Sequence, residues 1–310
     1  MEPGSLLRTA RTAAGVSLRE MARRTHYSVS YLSLIESGKR AVPADVVAAY
    51  ETALGSDLER LTAVARSAAS VDASALSDVA VMLSATRRIE DATGPVAVLP
   101  AVRGMATMAE TFAEQARSAS VADAARVASE IDQYRGWLEH AAGAGVASRR
   151  SLGKAVVLAK ESGDPDRLAH GLSFTAYVSA ETGRYADAAA ASDAVLAVPG
   201  VHPLIGAYER YQRARLHAVT GDSRAAQRAL VLADKAAEAA ADEVKPDAGY
   251  WYTPGFYGLQ RSRVLRVLGQ TERAREEVRA AVDTLPAEHR RAHWAAKWCR
   301  AADGADDVPH

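Results

Sequence analysis

The chain has 310 residues and no net charge, with 38 Lys plus Arg against 38 Asp plus Glu. That length allows two domains and a sizeable core, and a single cysteine, Cys299, excludes internal disulfides and Cys-rich zinc sites. No signal peptide and no apolar run of membrane-spanning length stands out, so the expectation is a soluble cytoplasmic protein with no membrane partner.

Alanine dominates the hydrophobic 48%, only 6% of residues are aromatic, and no period-two strand runs occur, which together predict an all-α chain. The charge is unevenly spread. Residues 1–43 hold Arg8, Arg11, Arg19, Arg23, Arg24, Lys39 and Arg40 against Glu2, Glu20 and Glu36, a local +4 that leaves −4 for the remainder. A basic head on an acidic body favours phosphates at one end and discourages adhesion elsewhere.

Within that head, Ser17 followed by Glu20 predicts a capping box that opens a helix. Ser28 is the next N-cap signal, and Thr25-His26-Tyr27 has the length of the turn in a helix-turn-helix. Val16, Met21, Tyr27, Leu32 and Ile35 form the apolar face, with Ala22 where the two helices cross closely. Ser37-Gly38-Lys39-Arg40 reads as a Gly-centred helix stop with a basic loop after it, and Pro43 opens the next helix.

These residues, over about Leu6 to Leu58, resemble the lambda-repressor-like helix-turn-helix, or xenobiotic-response-element, family. The resemblance implies an ion pair between Arg11 and Glu36 that ties the first helix to the third. It also implies that the outward side chains of the helix from Ser28 to Glu36 enter the DNA major groove; helical spacing makes these Ser28, Val29, Ser30, Ser33 and Leu34. Serines discriminate bases weakly, and Val29 and Leu34 either meet thymine methyl groups or are simply exposed apolar residues. Phosphate contacts are assigned to Ser17, Arg19, Tyr31, Lys39 and Arg40. Two positions depart from the family: His26 stands where glycine is common in the turn, and Leu34 where many relatives carry a polar group.

Val46, Val47, Tyr50 and Leu54 predict a fourth helix, and Leu58, Leu61 and Val64 begin a fifth, which takes the first domain to residue 68. The small polar stretch Ser67 to Ser74 reads as a linker. Residues 69–122 are expected to be linker and irregular helices, with Leu76, Val79, Met82 and Leu83 on them and breaks at Gly94-Pro95 and Pro100.

The rest repeats itself. Gly183, Gly221 and Gly269 are each followed five residues later by an alanine: Ala188, Ala226 and Ala274. The spacings are 38 and 48 residues, and Gly145 precedes Gly183 by 38 with a degenerate motif. Glycine at the turn and alanine at helix crossings, in this period, predict a solenoid of helical hairpins over residues 123–310, three or four of them up to residue 285. A helix over 287–303 would cap it. The array resembles the tetratricopeptide-repeat class, with longer helices, and the whole resembles actinobacterial regulators with a sensor body on a DNA-binding head.

Tyr250, Trp251, Tyr252, Phe256 and Tyr257 place five of eighteen aromatics within eight residues, and Trp294 and Trp298 follow on the last helix. With Tyr208 and Tyr211 from an earlier repeat they either fill the C-terminal core or a dimer interface, or line a ligand groove on the concave face. Arg210 and Arg213 beside them read as a solvated face.

His289 and His293 are four apart but lack the Glu of a metalloprotease motif, so no metal or cofactor is expected. Gly143-Ala-Gly145 has no strand before it, and neither a Gly-Lys-Ser/Thr loop nor a Gly-x-Ser-x-Gly elbow occurs, which argues against an enzyme. The sequence therefore reads as a homodimeric regulator of double-stranded operator DNA, with a peptide or small-molecule effector. The alternative is a protein-interaction scaffold, or an antitoxin-like protein, that DNA binding serves to localise.

Overall fold

The computed structural model describes residues 3–54, 64, 67–117, 120–246 and 249–308, and every regular element among them is helical. The chain divides into two units, residues 1–77 with 114–120, and residues 78–113 with 121–310.

The head holds α1 (Pro3–Ala13), α2 (Leu18–Thr25), α3 (Val29–Glu36) and α4 (Ala44–Leu54). Leu7, Val16, Met21, Ala22, Leu32, Ile35, Val46 and Tyr50 make one buried cluster, with Tyr27 packed against it. Ser17 Oγ accepts from the Glu20 N–H and Ser28 Oγ from the Tyr31 N–H, each at 3.2 Å, so each helix is capped as its sequence requires. The capping box at Ser17 is only half formed. Glu20 does not return to Ser17; it pairs with Arg23 and Arg24, whose charges one turn on along the helix win the carboxylate. His26 takes the left-handed conformation (φ 59°, ψ 17°), and it is the only non-glycine with positive φ among the described residues. The fifth helix expected at Leu58 and Leu61 lies outside the described residues.

The segment expected as linker and irregular helices is more regular than that. After a 3-10 turn (Ala68–Ser70), Asp72 Oδ1 accepts from the Ala75 N–H at 2.9 Å and opens α5 (Ala73–Thr93), followed by α6 (Pro95–Gln115). Gly94 separates them at φ 84°, but Pro100 does not break α6. The carbonyl that its missing N–H would have engaged belongs to Val96, which is 67% exposed, so the lost bond falls on the solvent side.

Eight further helices form four antiparallel hairpins: α7 (Val121–Ala141) with α8 (Gly145–Ser162), α9 (Pro165–Glu181) with α10 (Tyr185–Leu196), α11 (Pro203–Val219) with α12 (Ser223–Ala239), and α13 (Pro254–Val267) with α14 (Thr271–Thr284). The first helices stack on one another, α7 on α9, α9 on α11 and α11 on α13, and make the inner layer of a solenoid. Gly183, Gly221 and Gly269 each end a helix at positive φ, and Ala188, Ala226 and Ala274 are buried where the hairpins close. The earliest repeat is offset from the reading at Gly145. Its turn glycine is Gly143 (φ 78°), and the buried small residue five on is Ser148; Gly145 merely starts α8.

The last helix is also broken. α15 (Ala287–Arg291) ends at extended Ala292, a 3-10 turn spans His293–Ala295, and α16 (Ala296–Ala302) follows. The break lets His289 and Trp294 both turn inward, edge to face at 5.9 Å. His289 and His293 therefore do not share a helix face.

Candidate functional site

In the head, Ser28, Val29, Ser30, Ser33 and Leu34 form an exposed strip along α3, opposite the buried Leu32 and Ile35. Ser17, Arg19, Lys39 and Arg40 are exposed around it. Tyr31 is half-buried and sits in a relay. The Arg40 guanidinium lies 4.8 Å from the Tyr31 ring, Tyr31 packs on Tyr27 at 5.4 Å, and the Tyr27 hydroxyl donates to Asp45 at 2.8 Å. Tyr31 thus positions a cation as well as presenting its own hydroxyl.

Arg11 donates to Glu36 through Nε and Nη2, both at 2.7 Å, and through Nη1 to the Val16 carbonyl at 2.8 Å. Tyr50, wholly buried, donates its hydroxyl to Glu36 Oε1 at 2.9 Å. This pair fixes α1 and α4 against the end of α3, and the hydrogen bond to Glu36 holds the Arg11 pKa above its ordinary value. Reading Tyr50 only as an apolar helix position overlooked that bond.

In the second unit a cavity of about 520 Å³ lies among α7, α9, α11 and α13, with α5 and the C-terminal segment also contributing wall. Of the nine aromatics expected in a groove, Tyr208, Tyr250, Trp251, Phe256, Trp294 and Trp298 line it. Tyr211, Tyr252 and Tyr257 do not, because each is spent on packing. Tyr211 donates to Asp234 at 2.8 Å beside a separate void of about 20 Å³, Tyr257 donates to the Leu204 carbonyl at 2.8 Å, and Tyr252 meets His170 Nε2 at 2.9 Å. Burial drives the His170 pKa down to about 3, so this imidazole is neutral. Arg213 pairs with Asp193 at 3.0 Å and, like Arg210, does not line the cavity.

The sequence reading missed the other half of the wall: Arg87, Glu90, Tyr134, Trp137, Phe174, Tyr177, Arg263 and Lys297. A signal for it exists, since Tyr134/Trp137, Phe174/Tyr177 and Tyr208/Tyr211 are aromatic pairs three residues apart on successive inner helices. Tyr134 and Trp137 stack at 6.1 Å, and Tyr250 anchors the 240–253 connection to α5 by donating to Asp91 at 2.9 and 3.0 Å. Desolvation raises the Glu90 carboxyl to about 7, reinforced by Asp91 and opposed by the Tyr134 hydroxyl and by Arg87. Desolvation, together with Arg263, lowers the Lys297 ammonium, which lies 5.6 Å from the Trp298 ring. Among the described residues no group of three or more His, Cys, Asp or Glu is placed to hold a metal, and no helix is long and apolar enough to cross a membrane.

The chain matches no curated protein sequence. The crystal structure of Bacillus thuringiensis PlcR in complex with the peptide PapR7 and DNA is similar at 14% identity over 91% of this chain and 94% of that one, with a TM-score of 0.39. Residues 4–64 match the family described as "Helix-turn-helix domain", and the N-terminal head is accordingly a helix-turn-helix domain.

Proposed function

We propose that this chain is a sequence-specific DNA-binding transcriptional regulator, whose head binds operator DNA as half of a homodimer and whose repeat body senses a peptide or small molecule. The observation that carries the reading is the exposed strip Ser28, Val29, Ser30, Ser33 and Leu34 on the second helix of a helix-turn-helix domain, with Arg19, Lys39 and Arg40 exposed around it. Such a helix enters the major groove, where serines and small apolar groups meet base edges and thymine methyls, while the cations neutralise phosphates.

One small head buries modest area on DNA, so two heads on half-sites a helical turn apart are needed for tight binding. Exposed Val81, Met82 and Ile89 along α5 support an apolar contact between copies. The sensing role is supported by the aromatic cavity, whose volume falls within the usual range for ligand sites. Its occupant must favour one arrangement of the two heads, or operator affinity does not change.

Fluorescence anisotropy of the full chain on labelled DNA from upstream of its own gene, with excess unrelated DNA and varied salt, tests the reading. Competitor-resistant binding that weakens steeply with salt is expected. Binding lost equally to any competitor would overturn sequence-specific regulation.

A further inference from the structure

Arg87 uses its guanidinium unevenly. Nη1 donates to Glu130 at 2.7 Å, whereas Nε and Nη2 have no hydrogen-bond partner although the residue is only 4% exposed. Nε–H and the adjacent Nη2–H form the planar edge that takes a carboxylate side-on. Arg11 applies that same edge to Glu36 in the head. The buried Tyr134 hydroxyl and Glu90 carboxyl beside it on the same wall face each other, which leaves the Arg87 edge as the open polar group there. Buried polar atoms left unpaired cost roughly 1–3 kcal/mol each, so a polar guest that pairs them is favoured.

The charges around the cavity choose the sign of that guest. Glu130 is shared by Arg87 and Arg167, both at 2.7 Å, and Glu181 by Arg215 and Arg263, at 2.8 and 2.7 Å. Each carboxylate therefore meets two guanidiniums, and on the wall itself Arg87, Arg263, Lys297 and Arg300 stand against the one carboxyl of Glu90. An anion is matched and a cation disfavoured. Trp137, Trp251 and Trp294 present broad rings to the same space, which suits a flat apolar body.

We propose that the cavity binds a small aromatic carboxylate, held side-on by Arg87 with its rings among Trp137, Trp251 and Trp294. This names the ligand class of the sensing body and rests on that reading for its biological meaning.

All four tryptophans of the chain line this cavity, so intrinsic fluorescence of the full chain reports its occupancy. Naphthoate and anthracene carboxylate would be titrated beside their neutral amides and aminomethyl cations, and beside a short peptide ending in tryptophan. Saturable quenching by at least one of the two acids, about tenfold or more tighter than by its amide and tighter still than by its cation, is expected. Arg87→Lys keeps a charge beside Glu130 but lacks the planar edge; it should weaken acid binding about tenfold and amide binding far less, so that the acid-to-amide preference collapses. Equal affinities for acid and amide in both ring systems, or an acid preference that survives Arg87→Lys in a folded protein, would overturn the proposal. So would a peptide that binds more tightly than either acid. If Arg87→Lys does not fold, the acid-to-amide ratio in the unaltered chain decides. Operator affinity measured at saturating acid separates the two readings: no change there, with tight acid binding intact, would defeat sensing and leave the site standing.

Discussion

Arg11 holds Glu36 by both teeth of its guanidinium, Nε to Oε1 and Nη2 to Oε2, with each distance 2.7 Å and both side chains buried. Because Tyr50 also donates to Glu36, removing the carboxylate strands a cation and a phenol together. Glu36→Ala is expected to destabilise the head by roughly 3–5 kcal/mol. Hydrogen exchange in α1–α4 of the full chain measures it, and unchanged protection there would refute the pair's structural role.

Glu at both Ser30 and Leu34 would put two carboxylates on the exposed strip of α3 without touching its buried side. Specific operator binding should disappear while far-UV circular dichroism stays the same. Retained binding would mean that another surface reads the DNA.

Glu90 gives a pH signature. Its carboxyl is raised from 4.5 to about 7 by burial first and Asp91 next, with Arg87 and Tyr134 acting the other way; the Tyr250 phenol also faces this pair. Between those two values the folded chain keeps a proton that the unfolded chain releases, so stability falls as pH rises and the loss is complete above about 7. Glu90→Gln removes that loss. Its stability gain over the unaltered chain should be small at pH ~5 and reach about 3 kcal/mol at pH ~8. Denaturant midpoints at the two pH values check this, and equal gains at both would contradict it.

Gly255 lies where α13 crosses α14. A Cβ there would stand 2.6 Å from the Ala281 carbonyl oxygen and 3.0 Å from the Leu285 N–H nitrogen, both backbone atoms that cannot turn away. Gly255→Ala should cost about 1–3 kcal/mol, read from thermal unfolding. It should also disturb the adjoining Tyr250–Tyr252 segment and so shift the tryptophan emission maximum.

The head was legible in the sequence because its determinants are local. Ser17, Ser28, His26 and Gly38 each mark a cap or turn within a few residues, and the fold follows from their spacing. The hairpins were legible from Gly183, Gly221 and Gly269 for the same reason. The first repeat was misplaced because Gly143 and Gly145 stand two apart and Ser148 replaces the diagnostic alanine. The cavity was half legible. Tyr250 to Tyr257 form a visible cluster, but the Tyr134/Trp137 and Phe174/Tyr177 pairs and Arg87 lie on separate helices far apart in the chain and converge only when those helices pack. The cluster itself also misled, since Tyr252 and Tyr257 turn into the core, a choice made by His170 and the Leu204 carbonyl far away in the chain.

The doubled arginines on Glu130 and Glu181 have a mechanical meaning. An acid gripped by one guanidinium becomes an orphan in a dry interior when that partner leaves, at several kcal/mol. Glu130 keeps Arg167 if Arg87 lets go, and Glu181 keeps Arg215 if Arg263 does. Arg87 is therefore detachable, since it can change its grip without stranding the buried Glu130 behind it, whereas Arg263 grips a Glu181 that stays open to solvent.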